Sequence, residues 1–151
     1  MEKILAIACD HGGFELKNAI IAHLAERGVT YRDFGCDSTA SVNYPDYAKL
    51  LCGAIQRGEC YRGILVCGTG IGMSIAANKH RGIRAACASD TFSVKFTRLH
   101  NDANVLCLGG RVVGAGLALE MVDLFLDTEF EGGRHQTRVD MLTAIENEQN
   151  N

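Results

Sequence analysis

Apolar and polar positions along the chain follow two alternating rhythms. Short apolar runs are each succeeded by a stretch in which apolar residues recur every three or four positions. The first rhythm suits a strand buried on both faces, and the second a helix that buries one stripe. "KILAIACD" (3–10) predicts the first strand. Leu16, Ile20, Ile21 and Leu24 then fall on one face of a helix over 14–27, which Gly28 ends. "TYRDFG" predicts a second strand, and "YPDYAKLLCGAIQRG" a helix opened by the only proline of the chain. "YRGILVCG" is a third strand with a continuous apolar centre, and a helix starts within "GIGMSIAANK". "GIRAACAS" is a fourth strand, "DTFSVKFTRLHN" a helix with Asp90 as N-cap, and "ANVLCLGG" a fifth strand. Helices over 115–126 and 138–147 follow, and the chain closes on a short polar tail, "ENEQNN".

Five strands separated by helices imply a three-layer α/β/α sandwich, Rossmann-like, around a five-stranded, mostly parallel sheet. Such sheets bind ligands beyond the carboxyl ends of their strands. Four segments occupy that position: "CDHGG", "CGTGIG", "SDT" and "GGRVVG".

Composition adds limits. With 151 residues and 47% hydrophobic content, residues 1–151 read as a single domain. A formal charge of -3, with acids and bases interspersed, gives no nucleic-acid surface and no polybasic membrane patch, so a small-molecule partner is expected. No apolar run approaches the roughly 20 residues of a membrane span. The start, "MEKILAIACDHGG", turns to charge and glycine too early for a signal peptide, which points to the cytoplasm. Seven cysteines without a C-x-x-C pair argue against a disulfide framework and a zinc site, and most are expected as small buried hydrophobes.

The glycine loop after the third strand resembles three known phosphate loops and matches none. Gly68, Gly70 and Gly72 spell G-x-G-x-G, and the last glycine of a dinucleotide fingerprint is replaced by Met73. No Walker A sequence occurs, and the arginine that a cysteine phosphatase needs six residues after Cys67 is again Met73. Two readings stay open for this loop alone: an anion cradle of converging N–H groups beside a cysteine, or a tight strand-to-helix turn.

Other segments carry candidate chemistry. Asp10 and His11 end the first strand, where both can face a ligand or merely form a solvated turn. His100 and Asn101 precede the fifth strand and Arg111 follows it. His100 can shuttle protons near neutral pH or cap a helix. In "EGGRHQTRV", Arg134 and Arg138 are four apart at a helix start. They form either a phosphate clamp or a solvated basic face, and two cations there oppose the helix dipole unless an anion joins them.

Taken together, "ACDHGGFELK", "YPDYA", "GILVCGTGIGMSIAANK", "GIRAA", "RLHNDANVL", "GGRVVG" and "EGGRHQTRV" resemble, end to end and in order, the type B ribose-5-phosphate isomerases. These sit in a wider family of sugar-phosphate isomerases that act also on galactose 6-phosphate and allose 6-phosphate. The resemblance implies a homodimer, in some cases paired into a tetramer, with active sites at the subunit interface. It also implies interconversion of ribose 5-phosphate and ribulose 5-phosphate, with neither metal nor organic cofactor. It casts Cys67 as the base between C2 and C1, and His100 as the acid assisting ring opening. Asp10 and His11 become sugar-hydroxyl contacts, and Gly68, Thr69, Gly70, Ile71 and Gly72 the loop around the enediolate. Asn101, Arg111, Arg134 and Arg138 become further substrate or phosphate holders. Part of the family uses a glutamate base at the position of Met73, so this chain resembles the cysteine branch. Alternatives are a six-carbon sugar phosphate as substrate, or a non-catalytic module that binds a phosphate ligand.

Overall fold

In the computed structural model, which describes residues 1–149, five strands form one all-parallel sheet in the order β2-β1-β3-β5-β4. The strands are β1 (Leu5–Cys9), β2 (Tyr31–Asp33), β3 (Arg62–Cys67), β4 (Ala85–Cys87) and β5 (Val105–Gly109). The helices are α1 (Phe14–Glu26), α2 (Tyr44–Gln56), α3 (Ile71–Ala77), α4 (Thr91–Asn101), α5 (Ala115–Asp127) and α6 (Arg134–Gln149). A single 3₁₀ turn, His11–Gly13, joins β1 to α1.

The three central strands are buried throughout, apart from Arg62 at the start of β3, and this is why each reads as an unbroken apolar run. Their residues divide between two cores. Ile7, Ile64, Val66, Leu106 and Leu108 pack on one face with Ile20 and Leu24 of α1, Val94 of α4 and Met121, Val122 and Phe125 of α5. Ala6, Ala8, Leu65, Cys67 and Cys107 pack on the other with Leu51 and Cys52 of α2 and Met73 and Ala77 of α3. The sheet thus lies between two helical layers. Six cysteines are buried, Cys87 is exposed, and none is in a disulfide. Asp90 caps α4, accepting from the Ser93 N–H at 2.6 Å.

The C-terminal region differs from the expected layout. Helix α6 begins at Arg134, four residues before the expected start, and runs through Gln149. The first four residues of the expected polar tail are therefore helical, and Asn150 and Asn151 lie outside the described residues. Tertiary bonds hold this stretch: the Glu146 carboxylate accepts from the Gly82 N–H at 3.0 Å, and Arg81 donates to Asn147 Oδ1 at 2.7 Å. No helix among the described residues is long and apolar enough to cross a membrane.

Candidate active site

The candidate residues fall into two clusters at opposite ends of the sheet. The first lies at the carboxyl ends of β1, β3 and β5. Strand β1 leads on to β2 on one side, whereas β3 lies on its other side, so a crevice opens between β1 and β3. Asp10 and His11 enter from β1, and Cys67 from β3. The backbones approach so closely that a Cβ on Gly13 would stand 2.4 Å from the Val66 carbonyl oxygen, and one on Gly12 would stand 3.1 Å from the Gly68 nitrogen. Asp10 accepts from the Gly12 N–H at 2.9 Å, which turns the chain away from the sheet. The Val42 N–H donates to His11 Nδ1 at 3.2 Å, leaving Nε2 as the donor end of that ring.

Cys67 is only 5% exposed, and its Sγ accepts from the Gly70 N–H at 3.1 Å. Gly70 adopts φ 81°, a left-handed conformation that aims this N–H back at the sulfur. Thr69 Oγ1 accepts from the Ile71 N–H, and the ring of Tyr44 covers Gly72. Met73 points away into the core beneath the loop and is fully buried. From β5, Gly110 donates to the Cys67 carbonyl at 2.8 Å, Arg111 N donates to the Gly68 carbonyl at 3.0 Å, and the Arg111 guanidinium lies over Gly68.

The second cluster lies at the amino ends of the strands, because α4 runs back along the sheet before β5 begins. Just beyond His100 and Asn101, the Asn104 carbonyl accepts from the N–H of Gly63, at the start of β3. Gly63 and Cys67 are four strand steps apart, about 13 Å. Arg98, 1% exposed, bonds the carbonyls of Ala103 at 2.7 Å and Thr128 at 3.1 Å, and the Asp102 carboxylate at 2.8 Å. It thereby ties the end of α4 to the segment before α6. The Glu131 N–H donates to the Leu99 carbonyl at 3.1 Å, so Arg134 and Arg138 start their helix beside His100. The His100 ring stacks on His135 at 4.0 Å and meets Phe96 edge-on at 5.1 Å. Burial first, then the neighbouring His100 and Arg134, pushes the His135 imidazole down from its ordinary range.

One chain therefore brings together Asp10, His11, Cys67, Gly68 to Gly72 and Arg111, and separately His100, Asn101, Arg134 and Arg138. It does not bring the two sets together. A groove between α6 and the turn after α3 is lined by Arg81, Arg84, Asn101, Leu142 and Ile145, and contains no residue of the Cys67 cluster. Three contributors have only weak signals in the sequence. Tyr44 reads as a helix-start aromatic, while Arg98 and Glu131 read as ordinary helix-surface and loop charges.

The arginines divide unevenly. Arg27, Arg32, Arg57, Arg62, Arg81, Arg84 and Arg98 all spend their guanidinium groups on acceptors within the chain. Among the described residues, the guanidinium groups of Arg111, Arg134 and Arg138 have no hydrogen bond or ion pair. Arg111 belongs to the first cluster, and the other two belong to the second.

Comparison with known proteins agrees over nearly the whole chain. The family model described as ribose/galactose isomerase matches residues 5–142. Ribose-5-phosphate isomerase B of Escherichia coli is 52% identical, across 98% of this chain and 99% of that protein. The solved structure of ribose-5-phosphate isomerase B from Clostridium thermocellum superposes with a TM-score of 0.95 at 49% identity, covering 97% of this chain and 99% of that one. D-erythrulose-4-phosphate isomerase of Pectobacterium atrosepticum is 44% identical over 96% of both chains.

Proposed function

Because this chain belongs to the ribose/galactose isomerase family, we propose that it interconverts ribose 5-phosphate and ribulose 5-phosphate, in a site that two copies of the chain build together. The observation that carries this reading is the set of three unspent guanidinium groups, divided between two ends of one sheet. A phosphate anion is the natural partner for such forks, and one substrate spanning an interface can engage both ends.

The Cys67 cluster of one copy then faces the His100 cluster of the other. His100 donates a proton to the ring oxygen while the C1 hydroxyl gives up its own, and the sugar opens to the aldehyde. Cys67, as thiolate, removes the proton from C2, and negative charge develops on the oxygen at C1. The Gly68–Gly72 loop surrounds that enediolate, a proton passes from the oxygen at C2 to the oxygen at C1, and Cys67 returns its own proton to C1 to give the ketose. Asp10 and His11 hold sugar hydroxyls, with Nε2 of His11 as the donor. Asn101 adds a contact, while Arg111, Arg134 and Arg138 fix the phosphate and so hold C1 and C2 over the sulfur. Met73 offers no carboxylate and packs in the core, which supports Cys67 as the base.

Turnover of purified protein on ribose, allose and galactose phosphates tests the substrate. A rate on ribose 5-phosphate well above the others is expected, and preference for a six-carbon sugar would overturn that choice. Cys67→Ala is expected to abolish turnover while preserving the fold and inorganic-phosphate binding. Retained turnover in that variant would remove Cys67 as the base.

A further inference from the structure

Beside the proposed ring-opening acid, His100, stand two further metal-type donors, Glu131 and His135, that the isomerase reaction does not call for. We propose that His100, Glu131 and His135 form a binding site for a divalent transition-metal ion, with Zn²⁺ the best match.

The geometry carries the proposal. His135 Nε2 lies 3.3 Å from Glu131 Oε2, His100 Nε2 lies 4.0 Å from the same oxygen, and one donor atom from each residue falls within 4.8 Å of the others. Donor atoms around a tetrahedral zinc stand about 3.3 Å apart, so binding turns the His100 ring out of its near-parallel stack on His135, 4.0 Å and 12° apart, to aim its Nε2 at the same ion. The backbone holds them ready. Glu131 is tied to α4 through Leu99, and His135 lies four residues after Glu131, in the first turn of α6.

A second, independent observation points to a ligand. His135 is 94% buried, being 6% exposed, and its Nε2 has no hydrogen-bond partner despite the carboxylate 3.3 Å away. A buried polar atom without a bond needs an explanation. If Nε2 carries a lone pair, it faces an anion unfavourably. If it carries a proton, the angle to Glu131 is too poor for a bond. A cation between the two groups relieves both arrangements. Two imidazoles and a carboxylate are a zinc-type donor set that leaves a fourth position open, and His100 also lines a groove with Phe96 and Asn101. Arg134 and Arg138 oppose a cation here, which favours a readily reversible site.

Binding itself is independent of how His100 acts in catalysis. The consequence for turnover rests on the proposed function: a metal on His100 Nε2 removes the proton donor of ring opening, so zinc inhibits and a chelator restores activity.

The test is a zinc titration by calorimetry on the full chain carrying Cys87→Ser, which removes the exposed thiol. Cobalt is added in parallel for its visible spectrum. About one ion per chain is expected, with cobalt bands of nitrogen and oxygen ligation and no thiolate charge transfer. Glu131→Gln changes a half-exposed residue and leaves the fold intact. It and His135→Gln should each weaken binding about tenfold or more. Absence of binding, or binding unchanged in Glu131→Gln, or a thiolate spectrum, would overturn the site. Zinc that binds as expected without slowing turnover upholds the site and counts against His100 as the acid.

Discussion

If each active site takes Cys67 from one chain and His100 from another, two inactive variants should rescue each other. Within one chain Cys67 ends β3, whereas the segment just after His100 meets β3 at Gly63, four strand steps or about 13 Å away. A proton-transfer group must lie within about 3 Å of the atom it serves, so that separation is too long for one chain to apply Cys67 at C2 and His100 at the ring oxygen of the same sugar. In a two-fold pair, Cys67→Ala combined with His100→Ala places both defects in one site and leaves the other intact. A mixed pair purified through two different tags should therefore turn over at about half the wild-type rate per dimer. An equal mixture left unsorted should reach about a quarter. Each variant alone should be inactive or nearly so. The assay is ribulose 5-phosphate formation at saturating substrate, with analytical ultracentrifugation to verify the dimer. Mixed dimers no faster than the sum of the two variants would refute the shared site.

Four further predictions test the frame around that site. Gly70→Ala forces a side chain into a left-handed position, with its Cβ 2.9 Å from the Leu108 carbonyl carbon. The conformation costs about 1–2 kcal/mol and the clash about 1–3, so urea unfolding should show a loss of about 2–5 kcal/mol together with a sharp fall in turnover. An unchanged midpoint would refute the packing argument. Gly116→Ala, in the first turn of α5 with open space around it, should stabilise by about 0.5–1 kcal/mol in the same measurement, whereas destabilisation would contradict the open geometry. Burial pushes the Asp123 carboxyl up, but hydrogen bonds from His23 and Arg27 outweigh it and hold it below the ordinary carboxylate range. Its contribution is thus present above about pH 4 and lost as pH falls through the lower folded value. Asp123→Asn should lose about 0.5–1 kcal/mol at pH 7 and match the wild type near pH 2, and a gap that persists there would contradict the sign. Burial pushes the Cys9 and Cys52 thiols up to about 12, so alkylation at pH 8 followed by mass spectrometry should label Cys87 and spare those two until unfolding. Native labelling of Cys52 as fast as Cys87 would count against its burial.

What could be read from the chain beforehand followed from burial. Strands β1, β3 and β5 are covered on both faces, which leaves the apolar runs that identify them, and Gly28 and Asp90 mark helix ends by local chemistry alone. The exchanged order of β4 and β5 leaves no such mark, since nothing local states which strand is a neighbour. The same division runs through the site. Asp10, His11, Cys67 and Arg111 each follow a parallel strand, where ligand groups are expected. Arg98 sits in a polar helix and reads as a surface charge, yet it is buried because distant carbonyls need its donors. His100, Arg134 and Arg138 read as companions of Cys67 only through chain order and family likeness, and the direction of α4 carries them to the far end of the sheet. That separation constrains assembly. A chain with one half-site at each end can join head to tail without limit, or close upon a second copy about a two-fold axis. Only the closed pair completes two sites from two chains and leaves no half-site exposed. If the site is shared as proposed, the placement of these side chains requires a symmetric dimer as the working unit.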